Sequence, residues 1–248
     1  MRNLLKVVVA AVAVFLVSQS AFAADKVLMV VSSHQKLGTT NEATGFWLSE
    51  LTHPYFVVKK AGLDITIASI KGGEAPIDPR SLANMDKDTK AFLGNPNTRK
   101  LIDRTPALAS LKVGQFKAIV FVGGHGAMWD FPSNKAANRL AVGIYQRGGI
   151  VAAVCHGPAA LTTLTLPNGK KLIAGKKVTG FSNAEESAMK LTNVVPFSLE
   201  DKLKAAGATY ESGPMWKSEV VVDGRVITGQ NPSSAHDLGV AVAKALGH

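Results

Sequence analysis

The chain contains one cysteine in 248 residues, and its surroundings are those of a nucleophile. Cys155 closes the apolar run Ile150–Val154 and is followed by His156 and by the dipeptide Gly157-Pro158. A buried strand that turns sharply into a helix at a small residue is the strained elbow on which several enzyme classes present a nucleophile. A histidine beside a thiol can take its proton during attack. This stretch therefore predicts a catalytic thiol rather than a structural cysteine.

The predicted helix after Cys155 also bears on the ionisation of the thiol. Unpaired N–H groups and the dipole at the start of a helix favour an anion, and such positions lower a cysteine pKa from about 8.5 to between roughly 3.5 and 7.5. We therefore expect a lowered pKa and a substantial thiolate fraction at neutral pH.

A second glycine loop, Val122–Ala127 with the sequence VGGHGA, leaves the end of another predicted strand. It lacks the full dinucleotide-binding pattern and its acidic partner. The alternative is an oxyanion hole, in which the N–H groups of Gly124 and His156 converge on one oxygen. His125 is a second candidate base. Trp129 and Asp130 follow in the chain and either line the pocket or form a structural turn.

Predicted strands and helices alternate along the chain and determine where these groups meet. The strands are expected at 26–33, 64–69, 117–122, 150–154 and 176–181, with a hairpin at 219–230. The helices are expected at 45–62, 134–149, 185–191, 198–207 and 233–247, and a polar insertion or lid at 71–106. This order predicts an α/β fold: a flavodoxin-like, doubly wound, mostly parallel sheet with helices on both faces and a small insertion. Ligands bind such sheets beyond the carboxyl ends of the strands.

The first 23 residues have the order of a secretory signal peptide. Arg2 and Lys6 precede the apolar run Val7–Val17, and the small-residue triplet Ala21–Ala23 marks the cleavage site. We expect a mature domain of residues 24–248 that is secreted, to a bacterial periplasm, and has no membrane contact after cleavage. The formal net charge is +10, but the basic residues are scattered, which argues against nucleic-acid binding. A lone thiol in an oxidising compartment is exposed to oxidation, which favours a chemical role for it.

Five motifs together resemble a known superfamily: AAVCHGPAAL, VGGHGAMWDFP, TGFWLSELTHPY, VTGFSNAEE and TGQNPSSAH. They are similar to the class I glutamine amidotransferase-like proteins. Within these, the chain resembles the heat-shock chaperone and glutathione-independent glyoxalase (glyoxalase III) branch, which is related to the Parkinson-linked protein deglycase. The resemblance extends over about residues 26–246.

The resemblance implies roles for individual residues. The nucleophile falls on Cys155 and the base on His156, with the oxyanion donors on Gly124 and His156. A glutamate on the first helix that hydrogen-bonds the sulfur matches Glu50. Burial and the neighbouring sulfur would keep this carboxyl protonated near neutral pH.

The acid that orients the histidine matches Glu186 in the VTGFSNAEE motif. The adjacent Glu185 could serve instead, and the sequence does not choose between them.

The expected function is conversion of methylglyoxal or related 2-oxoaldehydes to hydroxy acids, D-lactate by analogy, in a homodimer without cofactors. No metal site is expected, because His53 and Glu42 near the first helix form no clear ligand set. Three alternatives stay open: a cysteine hydrolase (deglycase or peptidase), a holdase chaperone for unfolded or glycated proteins, and a redox sensor in which Cys155 becomes a sulfinate.

Overall fold

The computed structural model describes residues 25–248, so the predicted signal peptide lies outside the described residues. These residues contain eight strands: β1 Lys26–Val31, β2 Asp64–Ser69, β3 Ala118–Phe121, β4 Ile150–Val154, β5 Lys177–Val178, β6 Thr209–Tyr210, β7 Val220–Asp223 and β8 Val226–Gly229. The same part of the chain contains eight α-helices: α1 Leu48–Lys60, α2 Lys87–Gly94, α3 Pro96–Asp103, α4 Ala127–Asp130, α5 Lys135–Gln146, α6 Asn183–Ala188, α7 Leu199–Ala205 and α8 Ala235–Ala245.

Six strands form the main sheet, in the order β2-β1-β3-β4-β8-β7. All neighbours are parallel except β7 and β8, which form the predicted antiparallel hairpin. Every residue of β3 and β4 is buried, as continuous apolar runs require in a sheet covered on both faces. The doubly wound, mostly parallel fold predicted from the sequence is confirmed.

The helices lie on opposite faces of this sheet. The connection through α1 leads from β1 outward to β2, whereas the connection through α5 leads from β3 in the other direction to β4. Right-handed crossovers in opposite directions place α1 and α5 on opposite faces. The chain therefore reverses its winding between β1 and β3, and a crevice forms at the carboxyl ends of these strands, where such sheets bind ligands.

The polar stretch at 71–106 belongs to the same domain and contains α2 and α3. The helix α2 packs against α1, and α3 packs against β2. Asp86 caps α2 by accepting a hydrogen bond from the Thr89 N–H at 2.9 Å. The stretch is thus an insertion with helices of its own, which covers one edge of the sheet.

Two predicted elements differ from the structure. The helix expected after Cys155 is only a 3₁₀ turn over Gly157–Ala159, followed by irregular turns. The strand expected at 176–181 shortens to β5, which pairs with β6 in a separate two-stranded sheet. Among residues 25–248, no helix is long and apolar enough to span a membrane.

Candidate active site

Cys155 follows β4 directly and has a left-handed backbone conformation, with φ of 57°. This conformation costs an L-residue about 1–2 kcal/mol. Two backbone hydrogen bonds hold it: the Cys155 N–H donates to the Gly229 carbonyl at 2.9 Å, and its carbonyl accepts from the Phe181 N–H at 2.8 Å. A Cβ at Gly157 would lie 2.1 Å from the Phe121 carbonyl oxygen, so the turn requires glycine there. The sharp, strained turn predicted from the sequence is present.

His156 lies between the sulfur and a carboxylate. Its Nδ1 is 3.2 Å from Cys155 Sγ, and its Nε2 is 2.8 Å from Glu186 Oε2. A carboxylate only accepts hydrogen bonds, so Nε2 carries the proton and the Nδ1 lone pair faces the thiol. The structure thus places Glu186 on the histidine, whereas Glu185 closes the capping box at the start of α6. This geometry can pass a proton from sulfur to imidazole and stabilise the resulting cation.

The other oxygen of Glu186 is bound by a second histidine. His125 Nε2 donates to Glu186 Oε1 at 2.9 Å, and His125 Nδ1 accepts from the Arg80 guanidinium at 3.1 Å. Burial lowers the pKa of His125 to about 4, and a positive charge on the neighbouring His156, when that ring is protonated, acts in the same direction. Although burial opposes it, the contacts with His156 and His125 hold the pKa of Glu186 far below its ordinary value. His125 is therefore neutral and Glu186 ionised at neutral pH.

Arg80 is a site residue that the sequence analysis missed. It lies in the insertion and pairs with the fully buried Asp78, which also accepts from Thr44 Oγ1 at 2.8 Å. Although burial opposes it, the Arg80 guanidinium lowers the pKa of the Asp78 carboxyl. No local sequence signal points to this pair, because an arginine in a polar stretch normally faces solvent.

Glu50 approaches the sulfur from α1 and is fully buried. Neither carboxyl oxygen has a hydrogen-bond partner of standard geometry among residues 25–248. Burial raises its pKa well above 4.5, the Cys155 thiol and the Gly123 N–H partly oppose this, and the charge of Asp78 adds to it. Burial therefore favours the protonated form of this carboxyl, the direction that the sequence analysis predicts.

The expected lowering of the thiol pKa is wrong. Burial, followed by the charge of Glu50, raises the pKa of Cys155 well above 9.0, and the Gly124 N–H only partly opposes this. The physical reason is the short 3₁₀ turn after Cys155, which has no helix dipole to offset the loss of water. The resting site holds a neutral thiol facing a neutral carboxylic acid, with His156 placed to remove the thiol proton.

The two predicted oxyanion donors flank the sulfur. The N–H groups of Gly124 and His156 make no hydrogen bond to a backbone carbonyl in the described part of the chain. Gly124 has a left-handed φ of 97°, and a Cβ there would meet the Trp47 nitrogen at 2.4 Å. The Gly124 N–H faces the Cys155 sulfur, and since neither N–H group donates to a backbone carbonyl, both can donate to an oxygen that gains charge beside it.

A cavity of about 330 Å³ opens onto these groups. Its lining residues are mostly apolar or aromatic: Trp47, Gly124, His125, Cys155, His156, Phe181, Met189, Trp216 and Pro232. Phe181, Met189 and Trp216 were not predicted, and only the position of Phe181 beside the VTGFSNAEE glutamates could have indicated it.

Trp129 and Asp130 do not line this cavity. Trp129 stacks on His34 with 4.9 Å between the ring centroids. Asp130 accepts hydrogen bonds from Ser32 Oγ at 2.9 Å and from the Ser33 N–H at 2.7 Å. Of the two readings left open by the sequence, the structural turn is correct.

Three potential metal ligands come together in the site. Ligand atoms of His125, His156 and Glu186 lie within 4.8 Å of one another. Both imidazoles, however, direct a protonated Nε2 at the Glu186 carboxylate. A protonated nitrogen has no lone pair for a metal ion beside that carboxylate. His53, the other histidine considered, pairs with Asp86. The absence of a metal stays a prediction.

Comparisons with known proteins extend this description. The DJ-1/PfpI family matches residues 42–245. The glutathione-independent glyoxalase HSP31 of Saccharomyces cerevisiae is 32% identical over 236 residues, which cover 90% of this chain and 99% of that protein. The crystal structure of glyoxalase III from Candida albicans is 31% identical with a TM-score of 0.83, covering 89% of this chain and 97% of that one. The Rapid Encystment Protein 24 kDa of Francisella tularensis is 46% identical with a TM-score of 0.88, covering 90% and 99%.

Proposed function

The chain belongs to the DJ-1/PfpI family, and from that premise we propose that it is a glutathione-independent glyoxalase. Its substrate would be methylglyoxal or a related 2-oxoaldehyde, and its product the corresponding 2-hydroxy acid. The observation that carries the proposal is the alignment of Cys155 Sγ, His156 and Glu186, with separations of 3.2 and 2.8 Å, where Cys155 and His156 line a cavity. The names of the similar yeast proteins support the same activity.

The first step is addition of sulfur to the aldehyde. The Cys155 proton passes to His156 Nδ1, a carbon–sulfur bond forms, and the carbonyl electron pair moves onto oxygen. The N–H groups of Gly124 and His156 stabilise that oxygen, which then takes a proton. Removal of the thiol proton during attack suits a thiol that is neutral at rest. The product is a hemithioacetal on Cys155.

The second step is an internal oxidation and reduction. The proton on the carbon attached to sulfur leaves, an enediol forms, and a proton is added to the neighbouring carbon. The first carbon is thereby oxidised to a thioester while the second is reduced to an alcohol, so no external oxidant enters. His156, which is neutral again once it has given the thiol proton to the hemithioacetal oxygen, can take the proton from carbon, and the protonated Glu50 can donate one and be protonated again.

The last step is hydrolysis of the thioester. Water adds to the acyl carbon, the carbon–sulfur bond breaks, and sulfur regains a proton. Delivery of the earlier proton to one face of the enediol would give a single enantiomer, which we propose to be D-lactate from methylglyoxal.

The test is an assay of the purified protein with methylglyoxal and no glutathione. We expect lactate that a D-lactate-specific dehydrogenase detects, and no lactate from Cys155→Ala. His156→Gln should lower kcat by roughly 100-fold or more, because it removes the base. Val240→Ala, at an exposed apolar position, is the matched control. Wild-type turnover by Cys155→Ala would overturn the mechanism, and faster turnover of a peptide or of glutamine than of methylglyoxal would favour a cysteine hydrolase.

We also propose that the enzyme acts outside the cytoplasm, on the strength of the signal-peptide pattern in residues 1–23. Expression of the full chain in a bacterium should release a shortened protein on osmotic shock, with its N-terminus at Ala24 by mass spectrometry. Recovery of the unprocessed chain in the cytoplasm would contradict export and leave the chemistry unaffected.

A further inference from the structure

The cavity above Cys155 is larger than methylglyoxal requires. Its volume of about 330 Å³ equals that of about eleven water molecules at roughly 30 Å³ each. Methylglyoxal consists of two carbonyl groups and one methyl group, so it would leave most of this space unfilled. The remaining wall is apolar, and among residues 25–248 no lysine, arginine, aspartate or glutamate lines it. An uncharged apolar substituent would fill the space.

Two aromatic rings form one wall of the cavity, beginning beside the elbow. The Phe181 ring lies 4.4 Å from the His156 ring and 5.7 Å from the Trp216 ring, measured between centroids. Phe181 is buried, whereas Trp216 is 42% exposed and forms the outer edge of the cavity. An aryl or branched alkyl group attached to a dicarbonyl at Cys155 can contact both rings, and such aromatic contacts favour offset-stacked or edge-to-face geometry.

Trp216 is held in place by its backbone rather than by burial. It has a left-handed φ of 61°, which a bulky residue rarely adopts. Its N–H donates to Glu185 Oε1 at 3.0 Å, and its carbonyl accepts from Ser233 Oγ at 2.9 Å. The strain and the two hydrogen bonds indicate that the chain fixes this indole at the cavity edge.

Glu185 anchors this wall. Its carboxylate is fully buried and accepts four hydrogen bonds: from the Ser182 N–H and Oγ–H at 3.1 and 2.9 Å, from the Trp216 N–H, and from Asn231 Nδ2 at 2.8 Å. One carboxylate thus ties the start of α6 to the segment carrying Trp216. Burial of a carboxylate is unfavourable unless donors surround it, and here they do.

Building on the proposed function, we propose that the preferred substrates are 2-oxoaldehydes with an apolar substituent larger than methyl, above all an aromatic one. The substituent lies against Phe181 and Trp216, and the aldehyde carbon faces Cys155. Glu185 is a positioning residue for this wall. The chemistry is that of the glyoxalase reaction, with the same bonds formed and broken.

The test compares kcat/KM for phenylglyoxal and methylglyoxal in the absence of glutathione. We expect the wild type to favour phenylglyoxal, with isopropylglyoxal between the two. Trp216→Ala should reduce the ratio of kcat/KM for phenylglyoxal to kcat/KM for methylglyoxal by about 10-fold, chiefly through a higher KM for phenylglyoxal. Trp216→Phe should keep most of the preference. Because the ratio is compared between variants, differences in the reactivity of the aldehydes cancel.

Met215→Ala is the matched control, because Met215 is exposed in the same segment but does not line the cavity. Its ratio should equal that of the wild type. Glu185→Gln should shift the ratio in the same direction as Trp216→Ala, by raising KM for phenylglyoxal rather than by lowering kcat for phenylglyoxal.

The outcomes separate the two proposals. Turnover of methylglyoxal together with an equal ratio in wild type and Trp216→Ala would overturn the substrate preference and leave the glyoxalase function standing. A wild-type protein that favours methylglyoxal over both larger aldehydes would also overturn the substrate preference and leave the glyoxalase function standing. Failure to turn over any 2-oxoaldehyde would overturn both.

Discussion

Cys155 and Glu50 face each other inside the protein, where burial opposes a charge on either group. Burial raises both pKa values, and a charge on Glu50 raises the pKa of Cys155 further, whereas the hydrogen bond with the Cys155 thiol lowers the pKa of Glu50. The thiol and the carboxyl thus each favour the protonated form, beside the position where the proposed carbon–sulfur bond would form. His156, at 3.2 Å from the sulfur, is the group that can accept the thiol proton.

The pH dependence of thiol alkylation tests this arrangement. We expect the rate of Cys155 alkylation by iodoacetamide to rise with pH, with a midpoint above 9.0. Glu50→Gln should lower the midpoint, because the Glu50 carboxyl, once it ionises at high pH, opposes the thiolate, whereas glutamine carries no charge. Glu74→Gln, at an exposed glutamate, is the control. A wild-type midpoint near pH 7 would show that the sulfur is ionised at rest and would contradict the neutral pair.

At the scale of residues, the sequence indicated which residues form the site better than it indicated the pKa of the Cys155 thiol. The order Cys155, His156, Gly157 was sufficient to predict the elbow, because it is local. The choice of Glu186 over Glu185 depends on which carboxylate reaches across from α6, and Arg80 reaches the site only through the folded insertion. The thiol pKa depends on burial by residues distant in sequence. None of these is encoded in a short motif.

At the scale of elements, the glycine loop after β3 allows Glu50 to reach the sulfur. A Cβ at Gly123 would lie 2.4 Å from Glu50 Oε2 and 2.8 Å from Cys155 Cβ. The space that a side chain would occupy is filled by the two reacting groups. The loop therefore positions α1 relative to β4 as well as providing N–H groups.

Gly123→Ala should separate these groups. We expect it to destabilise the protein by about 1–3 kcal/mol through overpacking and to reduce turnover strongly. Gly94→Ala is the matched control, since nothing lies within 4 Å of a Cβ there, and it should be neutral or stabilising by up to about 1 kcal/mol. Urea denaturation and the methylglyoxal assay measure the two effects. Full activity in Gly123→Ala would show that the close approach of Glu50 is dispensable.

The strands were predictable because continuous apolar runs such as Val27–Val31 and Ile150–Val154 identify buried parallel strands. The helix expected after Cys155 was wrong for a physical reason. Gly157-Pro158 is compatible with a helix start but also with a 3₁₀ turn, and the following residues are fully buried among other elements, which sets their conformation. Tertiary packing therefore determined the conformation after Cys155, for which the local sequence allowed both a helix and a 3₁₀ turn.

At the scale of the whole molecule, successive hydrogen bonds link His156, Glu186, His125 and Arg80, and so connect the sheet, α6 and the insertion. These hydrogen bonds require a neutral His125, because its ring accepts from Arg80 while it donates to Glu186. Protonation of His125 would place a cation against the guanidinium. The global stability should therefore respond to acid.

The free energy of unfolding should fall between pH 6.5 and 4. The folded-state pKa of His125, about 4, lies below its ordinary value of 6.5. In this window the unfolded chain binds a proton that the folded chain excludes, so stability is full above pH 6.5 and declines by up to about 3 kcal/mol towards pH 4. The ionised Glu186 extends the loss below pH 4.5. Denaturation of the wild type and His125→Gln at several pH values would measure the contribution.

His236→Gln removes an exposed histidine and is the matched control. An equal pH slope in wild type and His125→Gln would contradict the assignment. Export and the homodimer stay predictions at this scale, the latter to be tested by analytical ultracentrifugation of residues 24–248.

The left-handed backbone at position 155 has a consequence for the history of such chains. Glycine and asparagine populate this region more readily than cysteine does, so selection for stability alone would not keep sulfur there. The proposed reaction requires cysteine at position 155, whereas the backbone conformation there favours glycine or asparagine. In a gene copy released from its reaction, drift at this codon should run towards glycine or asparagine sooner than towards alanine or serine.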